Sequence, residues 1–131
     1  MKYIYVDGGC HNNQDPAKRQ AYGSFLIGSK QYPDHLENKP VIKRLVFGSF
    51  TNNQAEYMAL IDALQYCIAR RIQAPHIFSD SALMINQIDG TWKANNISLQ
   101  LLRNMAVGLK YTAGATIEWV SRDIIEGVLG H

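Results

Sequence analysis

The segment TNNQAE, at residues 51–56, marks the point at which the hydrophobic pattern of the chain changes its period. Before this segment, short apolar runs are separated by turn residues, as in β-strands. After it, Leu60, Leu64 and Cys67 recur at helical spacing. The polar side chains at 51–53 can cap a helix, and Glu56 then falls in the first turn, on the face shared with Leu60. We therefore expect a long helix from this segment to Arg70-Arg71.

The regions on either side of this helix predict the remaining elements. Strands are expected at 3–6, 21–27 and 41–50, with the first ended by the Gly8-Gly9 pair. A short buried strand at 76–79 follows the long helix, and then come helices at 81–88 and 95–110 and a last strand at 116–120. The apolar stripe expected for the 95–110 helix is Leu99, Leu102, Met105, Ala106 and Leu109. The order β-β-β-α-β-α-α-β predicts an α/β fold with a mixed sheet, antiparallel at first and then joined by helical crossovers.

Length and composition narrow the class of protein. The 131 residues are expected to form one domain, 1–131, because neither a linker nor a repeat interrupts the pattern. A net charge of +2 permits binding to phosphates but falls short of a strongly basic nucleic-acid coat protein. Cys10 and Cys67 are too few for a disulfide framework or a tetrahedral zinc site, which favours a reduced, cytoplasmic setting. The N-terminus leaves no room for a signal peptide, and no stretch approaches the ~20 apolar residues of a membrane span. We expect a monomer without membrane contact.

Three acids occupy special positions in this map. Asp7 and Asp80 follow the first and fourth strands, so their carboxylates would emerge side by side if those strands are neighbours. Glu56 lies on the buried face of the long helix, which would direct it toward the two aspartates. Taken singly, each acid has a structural explanation, as a strand-end turn former or as a favourable charge at a helix N-terminus. Their joint placement favours a shared function.

The chemistry of these acids predicts a metal site. Buried carboxylates are costly unless something compensates their charge, and three converging on one point would repel one another strongly. A divalent cation relieves that repulsion. Oxygen ligands without accompanying cysteine or histidine favour Mg²⁺ or Mn²⁺ over zinc. Two such ions about 3.5–4 Å apart can activate a water and stabilise the leaving oxygen of a phosphodiester.

These motifs, in this order, resemble the ribonuclease H family over nearly the whole chain. The resemblance is carried by residues 5–10 with Asn13, by TNNQAE at 51–56, by the Asp80-Ser81 pair and by residues 90–93 with Asn96. The last of these segments is similar to the shorter, archaeal-like and phage-like members of type 1. The resemblance implies a five-stranded mixed sheet flanked by helices. It also implies a site at Asp7, Glu56 and Asp80 for two metal ions, Mg²⁺ or Mn²⁺, and hydrolysis of RNA paired with DNA.

The resemblance also suggests which residues contact the substrate. It implies contacts to 2′-hydroxyl groups, the groups that distinguish RNA from DNA, by the residues Cys10 (through its main chain), Asn13, Asn52 and Asn53. Thr51 matches a position that can hold a DNA phosphate. Helix capping remains the alternative for Asn52 and Asn53. Asn12 is a further candidate for contact with the substrate, with a left-handed turn as its alternative. Trp92-Lys93 suits base stacking and phosphate contact, with a core Trp beside an exposed Lys as the equal alternative.

The C-terminal segment departs from the family pattern. The family supplies a fourth acid in a helix after the last strand, but Ile125 and Leu129 stand where its Asn and Asp are expected. Glu126 could substitute by a local shift, and His131 could supply a metal-binding or proton-shuttling nitrogen. The alternative for both is a surface or terminal residue without a catalytic role.

Three functions are compatible with these observations. The leading one is an endoribonuclease that cuts the RNA strand of RNA/DNA hybrids. The second is a hybrid-binding module with weakened metal chemistry, which only the altered C-terminus supports. The third is a related metal-dependent DNA nuclease, such as a junction resolvase or integrase core, which the asparagines facing a 2′-hydroxyl argue against.

Overall fold

The structure, a computed structural model, describes residues 2–28 and 41–130. These residues form five strands and four helices. In chain order they are β1 (Tyr3–His11), β2 (Gln20–Gly28), β3 (Val41–Gly48), α1 (Asn52–Ala69), β4 (His76–Ser79), α2 (Ala82–Ile88), α3 (Ile97–Ala113), β5 (Thr116–Trp119) and α4 (Arg122–Leu129). None of the helices in the described part of the chain is long and apolar enough to cross a membrane.

The strands form one mixed sheet in the order β3-β2-β1-β4-β5. The first three strands pair antiparallel, whereas β4 lies parallel to both β1 and β5. The predicted fold class, a five-stranded mixed sheet flanked by helices, is confirmed. Since β1 is the central strand and pairs in parallel with β4 only as far as Tyr5 and Phe78, the residues just beyond this pairing are brought together.

The first strand is longer than predicted. It continues through the Gly8-Gly9 pair to His11, in unbroken antiparallel register with β2. The glycines do not end the strand; they allow other groups to approach it closely. A Cβ atom on Gly8 would collide with the carbonyl group of Ala55 in α1, and one on Gly9 would collide with the Tyr22 ring. The expectation that Asp7 ends this strand is therefore wrong, because Asp7 lies in its middle.

The helix boundaries follow local capping chemistry. Thr51 caps α1 through a capping box, in which its hydroxyl accepts from the Gln54 N–H and the Gln54 side chain accepts from the Thr51 N–H. Asn96 caps α3, whose end lies three residues beyond the predicted Lys110 because Gly114 supplies the left-handed C-cap there. Helix α4 is absent from the predicted order.

Two apolar clusters pack on opposite faces of the sheet. The larger one lies under α1, α2 and α3 and includes Ile4, Leu60 and Leu64. The smaller one lies under α4, where Ile125, Val128 and Leu129 pack with side chains such as Phe78. Met105, which was expected in the apolar stripe of α3, is 52% exposed, so its assignment to the buried face is wrong. With helices on both faces, the central strands of the sheet are covered.

Candidate active site

Three carboxylates converge where β4 ends beside the middle of β1, next to the start of α1. Asp7 lies on β1, Asp80 directly follows β4, and Glu56 is in the first turn of α1. One carboxylate oxygen from each residue lies within 4.8 Å of the others. Asp7 and Glu56 are buried, and only 8% of the Asp80 side chain is exposed. The structure thus brings together the three acids that the sequence singled out.

The position of Glu56 depends on the close contact between β1 and α1. Because Gly8 has no side chain, the first turn of α1 rests directly on the strand. The Gly8 N–H donates to Oε2 of Glu56 at 3.3 Å, which holds the carboxylate toward the aspartates. The glycine and the acid therefore act as one unit in building the site.

The surroundings of these acids oppose their ionisation. Burial raises the pKa of Asp7 to about 7, and the negative charge of Asp80 adds to the effect. Burial raises the pKa of Glu56 to about 9, with Asp7 and Asp80 adding to it. Without a cation, the cluster therefore holds protons near neutral pH that isolated carboxyl groups would have lost.

The donor set fits a hard divalent cation. Mg²⁺ binds oxygen ligands at about 2.0–2.1 Å, so ligands on opposite sides of one ion lie roughly 4.2 Å apart. Small side-chain adjustments would bring oxygens that lie within 4.8 Å of one another to that spacing. The cluster contains only carboxylates and no cysteine or histidine, which suits Mg²⁺ or Mn²⁺ better than zinc.

An arginine adjoins this cluster that the sequence interpretation did not single out. Arg122, at the start of α4, donates from one terminal nitrogen to Oδ2 of Asp80 at 3.1 Å. Its Nε lies 3.1 Å from Oε1 of Glu126, one turn further along the helix. The Trp119 indole N–H donates to the Asp80 main-chain carbonyl at 3.2 Å. Asp80 is thus held from both its side chain and its backbone.

Of the two candidates for a fourth ligand, Glu126 lies among the described residues and His131 does not. Glu126 is exposed and paired with Arg122, and it does not belong to the group of three acids that lie within 4.8 Å of one another. His131 lies outside the described residues.

The role of Arg122 could not be predicted from its local sequence. Its contact with Asp80 spans 42 positions and depends on how α4 docks on the sheet.

The residues expected to contact 2′-hydroxyl groups lie beside the acids, where β1 leads into a loop next to the start of α1. Asn13 accepts a hydrogen bond from the Asn52 N–H at 2.9 Å, which ties the loop to the helix. Asn52 and Asn53 are exposed in the first turn of α1, and the cap itself is Thr51, so the capping alternative for these asparagines is wrong. Asn12 has the left-handed backbone considered for it, with φ 55°. The Cys10 thiol donates to the Phe50 carbonyl at 3.1 Å.

A polar groove lies between this loop and the N-termini of α1 and α3. Its lining includes Asn13, Thr51, Asn53 and Asn96, together with the cationic side chain of Arg19. Arg19 is held in place because its Nε donates to the Asn13 carbonyl at 3.1 Å. Hydroxyl, amide and guanidinium donors in one groove are suited to a phosphate group. The sequence identified Thr51 as a candidate phosphate contact, but it did not place Arg19 or Asn96 beside it.

Trp92 and Lys93 lie on the loop between α2 and α3. Both are exposed, with 47% of Trp92 accessible to solvent. The alternative of a core Trp is therefore wrong. The pair presents an aromatic face and a cation to solvent.

A five-stranded sheet in this strand order, with three carboxylates meeting beside its central strand, defines a protein of the ribonuclease H fold class. The family model described as RNase H matches residues 1–121. The chain therefore belongs to the RNase H family, whose enzymes are metal-dependent and hydrolyse the RNA of RNA/DNA hybrids.

Individual relatives agree with this assignment. A protein named Ribonuclease H from Clostridium botulinum is 35% identical over 97 residues, which are 71% of this chain and 58% of that protein. Bifunctional protein Rv2228c from Mycobacterium tuberculosis is 31% identical over 120 residues, 91% of this chain but 31% of that protein. The chain thus spans about a third of the length of this mycobacterial relative. The crystal structure of RNase H1 from the archaeon Halobacterium salinarum superposes with a TM-score of 0.80 and 28% identity, covering 95% of this chain and 89% of that one.

Proposed function

We propose that this chain is an endoribonuclease that hydrolyses the RNA strand of RNA/DNA hybrids. The observation that carries the proposal is the convergence of Asp7, Glu56 and Asp80 on one point of a ribonuclease H fold. Membership of the family supplies the reaction class, and the acids supply the groups that the reaction requires.

The three carboxylates would hold the metal. When bound there, a pair of Mg²⁺ or Mn²⁺ ions supplies an activated water and stabilises the charge on the leaving oxygen. Asp7 and Asp80 contribute oxygens from neighbouring strands, and the Gly8 N–H aims Glu56 at the same point. Trp119 and Arg122 fix the position of Asp80. The rigidity of these supports matters because small displacements of reacting groups cost large factors in rate.

Recognition of the hybrid is proposed to divide between its two strands. The RNA strand is contacted by four asparagine side chains and one stretch of main chain, because amide groups can both donate to and accept from a 2′-hydroxyl. These are the side chains of Asn12, Asn13, Asn52 and Asn53 and the main chain at Cys10. On the DNA strand, the groove with Thr51 and Arg19 receives a phosphate. Trp92 and Lys93, on the loop that leads to the groove residue Asn96, add stacking and charge.

The decisive experiment incubates the purified chain with a labelled RNA/DNA hybrid in Mg²⁺, in Mn²⁺ and in chelator. We expect metal-dependent cutting of the RNA strand, and a loss of at least about 100-fold in Asp7→Asn, because that substitution removes a charged ligand from the site. Asp62→Asn, a change on α1 outside the acid cluster, is the matched control and should retain activity.

Further substrates separate the remaining hypotheses. If wild type and Asp7→Asn both bind hybrid but neither cuts it in any metal, the chain is a binding module. If duplex DNA is cut as fast as the hybrid, it is a DNA nuclease. For the fourth position, Glu126→Gln and His131→Ala are compared with wild type. Full activity in both would show that the three central acids suffice.

A further inference from the structure

Two glutamine side chains hold the backbone of the loop that presents Trp92 and Lys93. Gln87, on α2, is 2% exposed, yet it is polar and lies within the apolar layer beneath α1. Its Nε2 donates to the Lys93 carbonyl at 3.3 Å. From the other side, Nε2 of Gln100 on α3 donates to the Ala94 carbonyl at 2.9 Å. Two neighbouring carbonyls of the loop are therefore held from two helices.

The Gln87 amide has a partner on its other side. The Tyr57 hydroxyl donates to Gln87 Oε1 at 2.7 Å, and both residues are buried. The direction of this chain of hydrogen bonds is determined, because the Lys93 carbonyl can only accept. Gln87 must present its NH₂ group to Lys93 and its oxygen to Tyr57, so the phenol must donate. Burial raises the pKa of Tyr57 to about 12, which keeps that proton in place throughout the physiological range.

Tyr57 directly follows Glu56 in α1. The chain of hydrogen bonds thus connects the helical turn that carries a candidate metal ligand to the backbone of the loop. An exposed loop with a flexible backbone would have to be ordered when it binds, and that ordering would weaken the binding. A loop held in advance by hydrogen bonds to packed side chains avoids most of that loss.

We propose that Gln87, supported by Tyr57, is a positioning residue that holds the loop so that Trp92 and Lys93 meet the nucleic-acid substrate. This inference rests on the proposed function, since it assigns these two side chains to hybrid binding. Gln87 does not touch the substrate. Its effect on binding passes through the Lys93 backbone.

The test replaces Gln87 with Met, which has a similar shape but neither donates nor accepts in this way. We expect KM for the hybrid to rise by about five- to tenfold, in line with the cost of a lost buried hydrogen bond, while kcat changes by less than about twofold. Hydrogen–deuterium exchange of the 89–96 segment should become faster without any substrate present. Gln65→Met, an exposed change on α1, is the matched control and should alter neither quantity.

Two further variants keep the inference testable if Gln87→Met folds poorly. Tyr57→Phe removes only the supporting hydroxyl and should give a smaller rise in KM, about two- to threefold, with faster exchange in the same segment. In a Trp92→Ala/Lys93→Ala background, Gln87→Met should add no further rise in KM, because the side chains that it positions are gone.

The outcomes separate this inference from the proposed function. A wild-type chain that neither binds nor cuts the hybrid overturns both. A wild type that cuts it, together with an unchanged KM or unchanged exchange in Gln87→Met, overturns this inference alone. An equal rise in KM with and without Trp92 and Lys93 does the same, because it would show a structural effect unconnected to those side chains.

Discussion

At the scale of single residues, the contact between Gly8 and α1 is the feature of the site that tolerates the least change in side-chain size. The strand and the helix approach so closely that the Ala55 carbonyl occupies the space that a side chain at position 8 would need. Backbone atoms on both sides leave little freedom to adjust. The same contact places the Gly8 N–H against Glu56. Stability and active-site geometry are therefore coupled at this residue.

We expect Gly8→Ala to lower the free energy of unfolding by about 1–3 kcal/mol or more, because the methyl group overpacks a contact between two backbones. Activity on the hybrid should fall by more than the loss of folded protein explains. The added methyl group pushes α1 away from β1, and α1 carries Glu56 away from Asp7. Urea denaturation and steady-state kinetics measure the two effects. Gly108→Ala is the control, because it lies in α3 with open space around it. It should stabilise the protein by about 0.5–1 kcal/mol. Normal activity in a folded Gly8→Ala would contradict this account.

At the scale of elements, the short helix α4 both covers the sheet and positions a residue at the site. Its buried side chains cover the face of the sheet opposite to α1, and its first residue, Arg122, contacts Asp80. Packing on one face of the helix thus determines where the guanidinium lies. Loosening that packing should therefore affect the site as well as the stability of the fold.

We expect Ile125→Ala to reduce the free energy of unfolding by about 2–5 kcal/mol, as for other large-to-small changes at fully buried positions. Ile125 is fully buried, whereas Ile97 on α3 is 67% exposed. Ile97→Ala makes the same chemical change and should cost far less, so thermal or urea unfolding of the two variants isolates the effect of burial. Equal losses in both would show that α4 is not packed on the sheet as described.

The same elements show what the sequence could and could not predict. The TNNQAE segment and the 3.6-residue period after it were sufficient for α1, and the approximate positions of five strands followed from short apolar runs. Helix α4 was missed although Ile124, Ile125, Val128 and Leu129 have helical spacing, because eight residues containing Gly127 give a weak signal. The continuation of β1 through Gly8 was missed because a glycine pair in the sequence usually indicates the end of a strand. Here Gly8 stays in the strand and allows α1 to pack directly against it. The contacts of Arg122 and Gln87 join positions whose proximity only the folded chain determines.

At the scale of the whole molecule, the acid cluster makes stability depend on pH. The pKa of Asp7 rises from 3.8 to about 7 on folding, and that of Glu56 rises from 4.5 to about 9, in each case chiefly through burial. At any pH between the unfolded-state and folded-state pKa of either group, the folded state binds more protons than the unfolded state. Stability from these groups is therefore fully present below about pH 4 and is lost as the pH rises through the folded-state values.

We expect the metal-free protein to lose on the order of a few kcal/mol of unfolding free energy between pH 5 and pH 9, because two buried carboxylates must then ionise beside Asp80. Added Mg²⁺ should reverse the loss, and its stabilising effect should grow with pH, since protons and the cation compete for the same oxygens. Urea denaturation at several pH values, with Mg²⁺ and with chelator, measures both trends. In Asp7→Asn/Glu56→Gln the metal-free profile should flatten and the effect of Mg²⁺ should shrink. A wild-type profile as flat as that of the double variant would contradict the burial of these charges, and stabilisation by Mg²⁺ that is equal at pH 6 and pH 9 would place the cation elsewhere.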